Sequence, residues 1–106
     1  MTFNEIYDGF MKLYLDAEEK QREGCESDDV RLIYWCLVDF YTTLLRFERN
    51  REYTSVVERT INDFDLNDAE KVKKLCTLFY ITPESVNAKV LIYAVETIRK
   101  QSNNGN

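Results

Sequence analysis

The chain reads as an all-α protein, a compact bundle of four to five amphipathic helices, and three observations predict it. Its 106 residues include only three Gly and one Pro, too few for the many turns of a sheet protein. Apolar residues recur at three- and four-residue spacing along most of the chain, with no strand-like alternation of useful length. The apolar runs also begin after residues that cap helices well. Residues 1–100 are expected to form a single domain, large enough to bury a core without metals or disulfides. Residues 101–106 are polar and rich in Gly and Asn, the composition of a disordered tail.

The first helix opens at Thr2-Phe3-Asn4-Glu5, a capping-box pattern in which Thr2 and Glu5 satisfy free amides reciprocally. Phe3, Ile6, Tyr7, Phe10, Leu13, Tyr14 and Ala17 follow as its core stripe. Gly9 interrupts that helix, which fits a second helix crossing closely there. From Asp16 to Asp29 the chain turns polar and acidic, a solvated helix end and loop with Gly24 as the natural stop.

The second helix is the most apolar and aromatic stretch and holds the single Trp. Ser27 caps it, and Asp28 and Asp29 complement the helix dipole in the first turn. At about 100° per residue, Val30, Ile33, Tyr34, Leu37, Val38, Phe40, Tyr41, Leu44, Leu45 and Phe47 fill more than half its circumference. The opposite stripe reads Asp28, Arg31, Trp35, Asp39, Thr42, Arg46 and Arg49. Trp35 therefore stands in the middle of the polar face. Two arrangements fit it: another helix of the same chain covers it, or it is an exposed anchor for a partner.

After Asn50 the apolar stripe changes phase to Tyr53, Val56, Val57, Ile61 and Phe64. The chain is expected to break near residues 50–54, with Ser55 and Glu58 offering a capping box for the third helix. Residues 64–68 form a short connection. A fourth helix carries Ala69, Val72, Leu75, Cys76 and Phe79 on one face and Lys71, Lys73 and Lys74 largely on the other. Thr82 as cap and Pro83 in the first helical position start the last helix, whose apolar arc is Val86, Val90, Leu91, Tyr93, Ala94, Val95 and Ile98.

The chemical vocabulary of catalysis is sparse. The chain has no His, which removes the commonest general base and transition-metal ligand. It has neither a glycine-rich phosphate loop nor a nucleophile elbow. Catalytic residues, cofactors and metal ligands are accordingly expected to be absent. Cys25, Cys36 and Cys76 form no C-x-x-C pair; Cys36 and Cys76 read as small core residues, and Cys25 as an exposed thiol. No run approaches a membrane span and no signal-peptide pattern occurs, so a cytoplasmic protein is expected.

Net charge is −5, and the acid excess lies in residues 1–29. Such a chain suits a partner protein with a basic surface better than it suits phosphate backbones. The partner-binding residues are expected to be Trp35, Arg31, Asp39, Arg46 and Arg49, because Trp and Arg dominate interface hot spots. Self-association through the same stripe is a further use for it. The expected role is a non-enzymatic regulator, adaptor or inhibitor that acts by occluding a surface. Small acidic proteins of phages and mobile elements work in this way when they mask a host nucleic-acid-binding or defence protein.

A second reading comes from a local resemblance. Ile81-Thr82-Pro83-Glu84-Ser85-Val86, preceded by Lys74-Leu75-Cys76-Thr77-Leu78-Phe79-Tyr80, resembles the turn and recognition-helix start of LuxR-type helix-turn-helix proteins. The resemblance implies a dimeric DNA-binding regulator in which Thr82, Glu84, Ser85, Asn87 and Lys89 face DNA. Lys71, Lys73 and Lys74 would then lie near phosphates. The chain departs from that family in lacking a strongly basic recognition helix.

Overall fold

Local capping chemistry sets where each helix begins. The computed structural model describes residues 1–24 and 27–104, and five helices run through them: α1 (Phe3–Arg22), α2 (Asp28–Phe47), α3 (Arg51–Asn62), α4 (Ala69–Leu78) and α5 (Val86–Asn104). The capping box of α1 is formed, with the Thr2 hydroxyl accepting from the Glu5 amide and the Glu5 carboxylate accepting from the Thr2 amide at 3.1 Å. Those Thr2 hydrogen bonds hold the Glu5 carboxyl below its ordinary pKa. Gly24 ends the α1 segment at φ +86°, a conformation that favours glycine. Ser27 caps α2 by accepting from the Val30 amide at 3.2 Å. Cys25, expected to be an exposed thiol, lies outside the described residues.

Three boundaries differ from the sequence expectation. The chain does break after α2, but Asn50 rather than Ser55 caps α3, its amide oxygen accepting from Glu52 and Tyr53. Glu58 instead accepts from the Phe3 amide at 3.0 Å, tying the start of α1 to α3. At α5, Pro83 lies in a turn closed by the Ser85 amide on the Thr82 carbonyl, 3.0 Å. Ser85 then caps the helix by accepting from Ala88 at 3.2 Å. Thr82 and Pro83 therefore belong to the connection, because the Ser85 hydroxyl reaches a free amide three residues on. Finally, α5 continues to Asn104, past the point where a disordered tail was expected, since no Gly or Pro interrupts it before residue 105.

Helices α1 and α2 form an antiparallel hairpin, with Tyr7 beside Tyr41, Phe10 beside Phe40 and Tyr14 beside Tyr34. Helices α3, α4 and α5 pack behind it, α5 against both hairpin helices. The core is continuous through Ile6, Phe10, Leu37, Phe40, Leu44, Val57, Ile61, Leu75, Leu91 and Val95. Each such side chain contributes about 1.5–3 kcal/mol by leaving water. Cys36 and Cys76 are buried free thiols. Several arc residues are not covered: Leu45, Tyr53, Val86 and Tyr93 are exposed, because each apolar arc is wider than the neighbours packed on it. None of the described helices is long and apolar enough to cross a membrane.

Two backbone positions carry direct consequences. A Cβ on Gly9 would stand 2.9 Å from both Cγ atoms of the buried Ile98, so α1 and α5 cross at glycine contact. Gly9→Ala is expected to lower stability by about 1–3 kcal/mol through overpacking, and Ile98→Val in the same chain to recover part of the loss, both read by urea unfolding. At the end of α4, the Tyr80 amide donates to the Thr77 carbonyl and the Ile81 amide to the Cys76 carbonyl. This is the Schellman arrangement, whose left-handed position usually holds glycine. Here it holds Tyr80, at φ 59° and 80% exposed. Tyr80→Gly should therefore raise stability by about 1 kcal/mol, the size of the left-handed penalty for a side chain; an unchanged or lower unfolding midpoint would contradict this.

Candidate protein-binding face

The outer side of α2 bears a second apolar stripe, opposite the one that enters the core. Trp35, Val38, Thr42 and Leu45 recur at alternating three- and four-residue steps, the spacing by which one helix meets another. Trp35 is 62% exposed and Leu45 45% exposed, while Val38 and Thr42 are half-buried. Thr42 places its hydroxyl on the Val38 carbonyl at 2.8 Å, so its methyl group adds to the stripe. Leu32, one turn before Trp35 and Cys36, is also exposed. No helix among the described residues covers Trp35.

An aromatic ladder joins this stripe to α1. Phe3, Tyr7, Tyr41, Tyr14, Tyr34 and Trp35 are linked pairwise with ring centroids between 5.1 and 6.3 Å apart. Tyr34 meets the Trp35 indole edge-on, at 5.4 Å and 72°, which holds the indole base while leaving its outer part in water. The tyrosines are half-buried: their rings pack in the hairpin seam, where the polar hydroxyl of such a ring favours an edge position. On α1, Leu15 adds a further exposed apolar side chain at 47%. Sequence periodicity placed Tyr7 and Tyr14 in the core. The signal for the rim was their position at the edge of the apolar arc together with their hydroxyls.

Charges surround the stripe unevenly. Arg31, Asp39, Arg46 and Arg49 are exposed, and the four residues share the outer side of α2 or its C-terminal end. Arg31 is engaged within its own chain. Asp28, Asp39, Arg46 and Arg49 form no ion pair among the described residues. All five residues expected at a partner surface thus lie about Trp35 or at the end of its helix.

The residues of the DNA-binding reading are placed differently. Thr82, Glu84 and Ser85 lie in the connection between α4 and α5, where Ser85 is occupied with capping. The Asn87 side-chain oxygen accepts from the Cys36 thiol at 3.5 Å, and is thereby directed to α2. Lys89 is exposed. The connection spans 79–85, longer than the turn of about three or four residues in a helix-turn-helix unit. Lys71 pairs with Asp63 at 3.4 Å. Much of α5 is inside the protein: Ala88, Val90, Leu91, Ala94, Val95 and Ile98 are buried.

Among the described residues, no cluster of three or more His, Cys, Asp or Glu side chains is arranged to hold a metal ion. Burial raises the Cys36 and Cys76 thiols above their ordinary pKa, with Asp39 and Glu84 adding to the effect respectively. Neither is an activated nucleophile. Comparison with protein-family models, curated proteins and solved structures finds no match to this chain.

The ladder has one titration consequence. Tyr7 donates to the Tyr41 hydroxyl at 2.8 Å, and this bond, followed by burial, pushes the Tyr7 phenol up to about 12 from 10.0. The raised value means that the folded state keeps a proton the unfolded state loses, so this contribution to stability is whole below pH 10 and declines between pH 10 and 12. Phenolate absorbance should show one late component in that window, absent from Tyr7→Phe. A wild-type titration with no late component would contradict the assignment.

Proposed function

We propose that this protein is a non-enzymatic protein-binding module, a regulator or inhibitor that works by occluding a partner's surface. The observation carrying this reading is Trp35, a large aromatic side chain 62% exposed on the outer side of a helix whose inner side is buried in the core. Its surroundings have the composition of an interface centre, an aromatic anchor beside Tyr34, Val38 and Leu45 with Arg46, Arg49 and Asp39 at the rim. The acidic residues around the α1–α2 connection, including Asp16, Glu18, Glu19, Glu23 and Asp28, favour a partner whose adjoining surface is basic. The buried free thiols of Cys36 and Cys76 suit the reducing cytoplasm, where we place its action. Masking a nucleic-acid-binding or defence protein of a host cell is one form such occlusion takes.

The test separates binding from folding. Because Trp35 is largely exposed, Trp35→Ala should change stability by no more than about 1 kcal/mol. The same substitution should weaken partner binding by at least about 2 kcal/mol, the threshold of a hot spot. Tagged wild-type and variant proteins would be compared by affinity capture from nuclease-treated lysate, with helicity and thermal midpoint as controls. A stoichiometric protein retained after nuclease and lost with Trp35→Ala supports the reading. Loss of about 3–5 kcal/mol in stability would instead make Trp35 a core residue, and nuclease-sensitive capture alone would favour DNA binding.

A further inference from the structure

The outer stripe of α2 has a charge pattern that matches its own reverse. Asp28 and Arg46 lie on one line of the helix, about five turns and 27 Å apart. One is acidic, the other basic; both are exposed and form no ion pair among the described residues. Between them lies the bare stripe with Trp35 and Val38. Two copies of such a helix laid antiparallel bring each Asp28 to the other's Arg46, and both pairs form at once. The two-fold axis that does this passes at the level of position 37.

That axis has further consequences along the seam. Positions equally distant from it face one another, so Trp35 of each copy stands opposite Asp39 of the other. The indole N–H and the Asp39 carboxylate have no hydrogen-bond partner among the described residues, and they are a donor and an acceptor. Leu32 falls opposite Thr42, and Arg31 opposite Thr43, so no like charges are brought face to face. A parallel arrangement gives the reverse result: Asp28 meets Asp28 and Arg46 meets Arg46, with the acidic α1–α2 ends together.

We infer that a second copy of this chain occupies the outer face of α2, forming an antiparallel two-fold dimer with Trp35 at its centre and Asp28–Arg46 pairs at its ends. The inference rests on the reading of this face as a protein-binding surface and names the occupant in the absence of any other partner. A two-fold contact of this kind is isologous, the commonest form of soluble oligomer. A heterologous partner of the same face must then displace the second copy.

Sedimentation of the full chain over a range of concentrations, at low and high salt, tests this. The expected result is a reversible monomer–dimer equilibrium. Trp35→Ala should weaken it at least tenfold, and so should the reversal Asp28→Arg at low salt. The double reversal Asp28→Arg with Arg46→Asp should restore the dimer, because it exchanges the charges without changing the register. Helicity is checked for each variant. Iodide quenching of Trp35 provides a measurement on the unaltered chain, and it should fall as concentration rises through the dimer range.

A chain that stays monomeric at millimolar concentration would overturn the inference. So would a dimer indifferent to Trp35→Ala, or a double reversal that fails to recover what the single reversal lost. A monomer that still captures a different protein through Trp35 overturns the dimer alone and leaves the binding-module reading standing. A Trp35-dependent dimer with no heterologous partner supports the dimer and removes the regulator reading.

Discussion

Three phenyl rings hold the arrangement of the helices. Phe10 of α1, Phe40 of α2 and Phe79 at the end of α4 are mutual neighbours, with centroid separations of 6.2, 5.9 and 5.6 Å. Phe10 is fully buried, and Phe40 and Phe79 nearly so. Two of the three contacts are edge-to-face, the geometry that rings prefer on electrostatic grounds. The triangle binds the hairpin to the far end of the chain, and it fixes which side of α1 and which side of α2 turn inward. Once Phe10 and Phe40 point at α4, Gly9 meets Ile98 and Cys36 meets Asn87. The remaining helices must then lie behind the hairpin.

The outer side of the hairpin follows from this constraint. A helix turns one side to a given layer, and the helices that pack on α2 besides α1, namely α3 and α5, lie on its inner side. What lies on the other side of α2 meets water, whatever its chemistry. The tyrosines at the seam tolerate that boundary because a ring and a hydroxyl want different surroundings. Trp35, Val38 and Leu45 have no such excuse. Their exposure is the place where local sequence and monomer fold disagree, and such disagreements concentrate at functional surfaces.

The helices were legible because their signals are local. Thr2 with Glu5, Ser27, Gly24 and Gly9 each announce a conformation through chemistry contained within a few residues or a single close approach. The five-helix, all-α architecture follows from the same signals. Asn50 and Ser85 were less visible, since a segment can offer two caps and only the tertiary setting selects one: Glu58 was taken by the Phe3 amide rather than by a capping box. Tyr80 could not be foreseen at all, as no rule of spacing places a tyrosine in a glycine conformation. The stripe around Trp35 was legible from the helical period, but its exposure was not. Periodicity orders residues around a helix without stating which sides have neighbours, so it left Leu45 in the core arc and left Leu15 unremarked.

The distribution of apolar residues between α2 and α5 strengthens the case for an occupant. In the monomer, α5 is the enclosed helix, packed against α1, α2 and α4 and burying Ala88, Leu91, Ala94, Val95 and Ile98. Its small residues allow close approach, and its exposed side is largely polar or aromatic with a hydroxyl. By contrast, α2 lies at an outer layer and yet carries apolar residues on both sides. An outer-layer helix needs only one apolar side for folding. The second costs solubility and adds nothing to the core, unless something else covers it. The acidic residues that crowd the neighbouring loop offset that cost by keeping separate molecules apart at random orientations. They do not prevent an approach in which Asp28 meets Arg46. In the proposed dimer, charge and apolar surface on α2 act together, the one excluding most orientations and the other rewarding the orientation that remains.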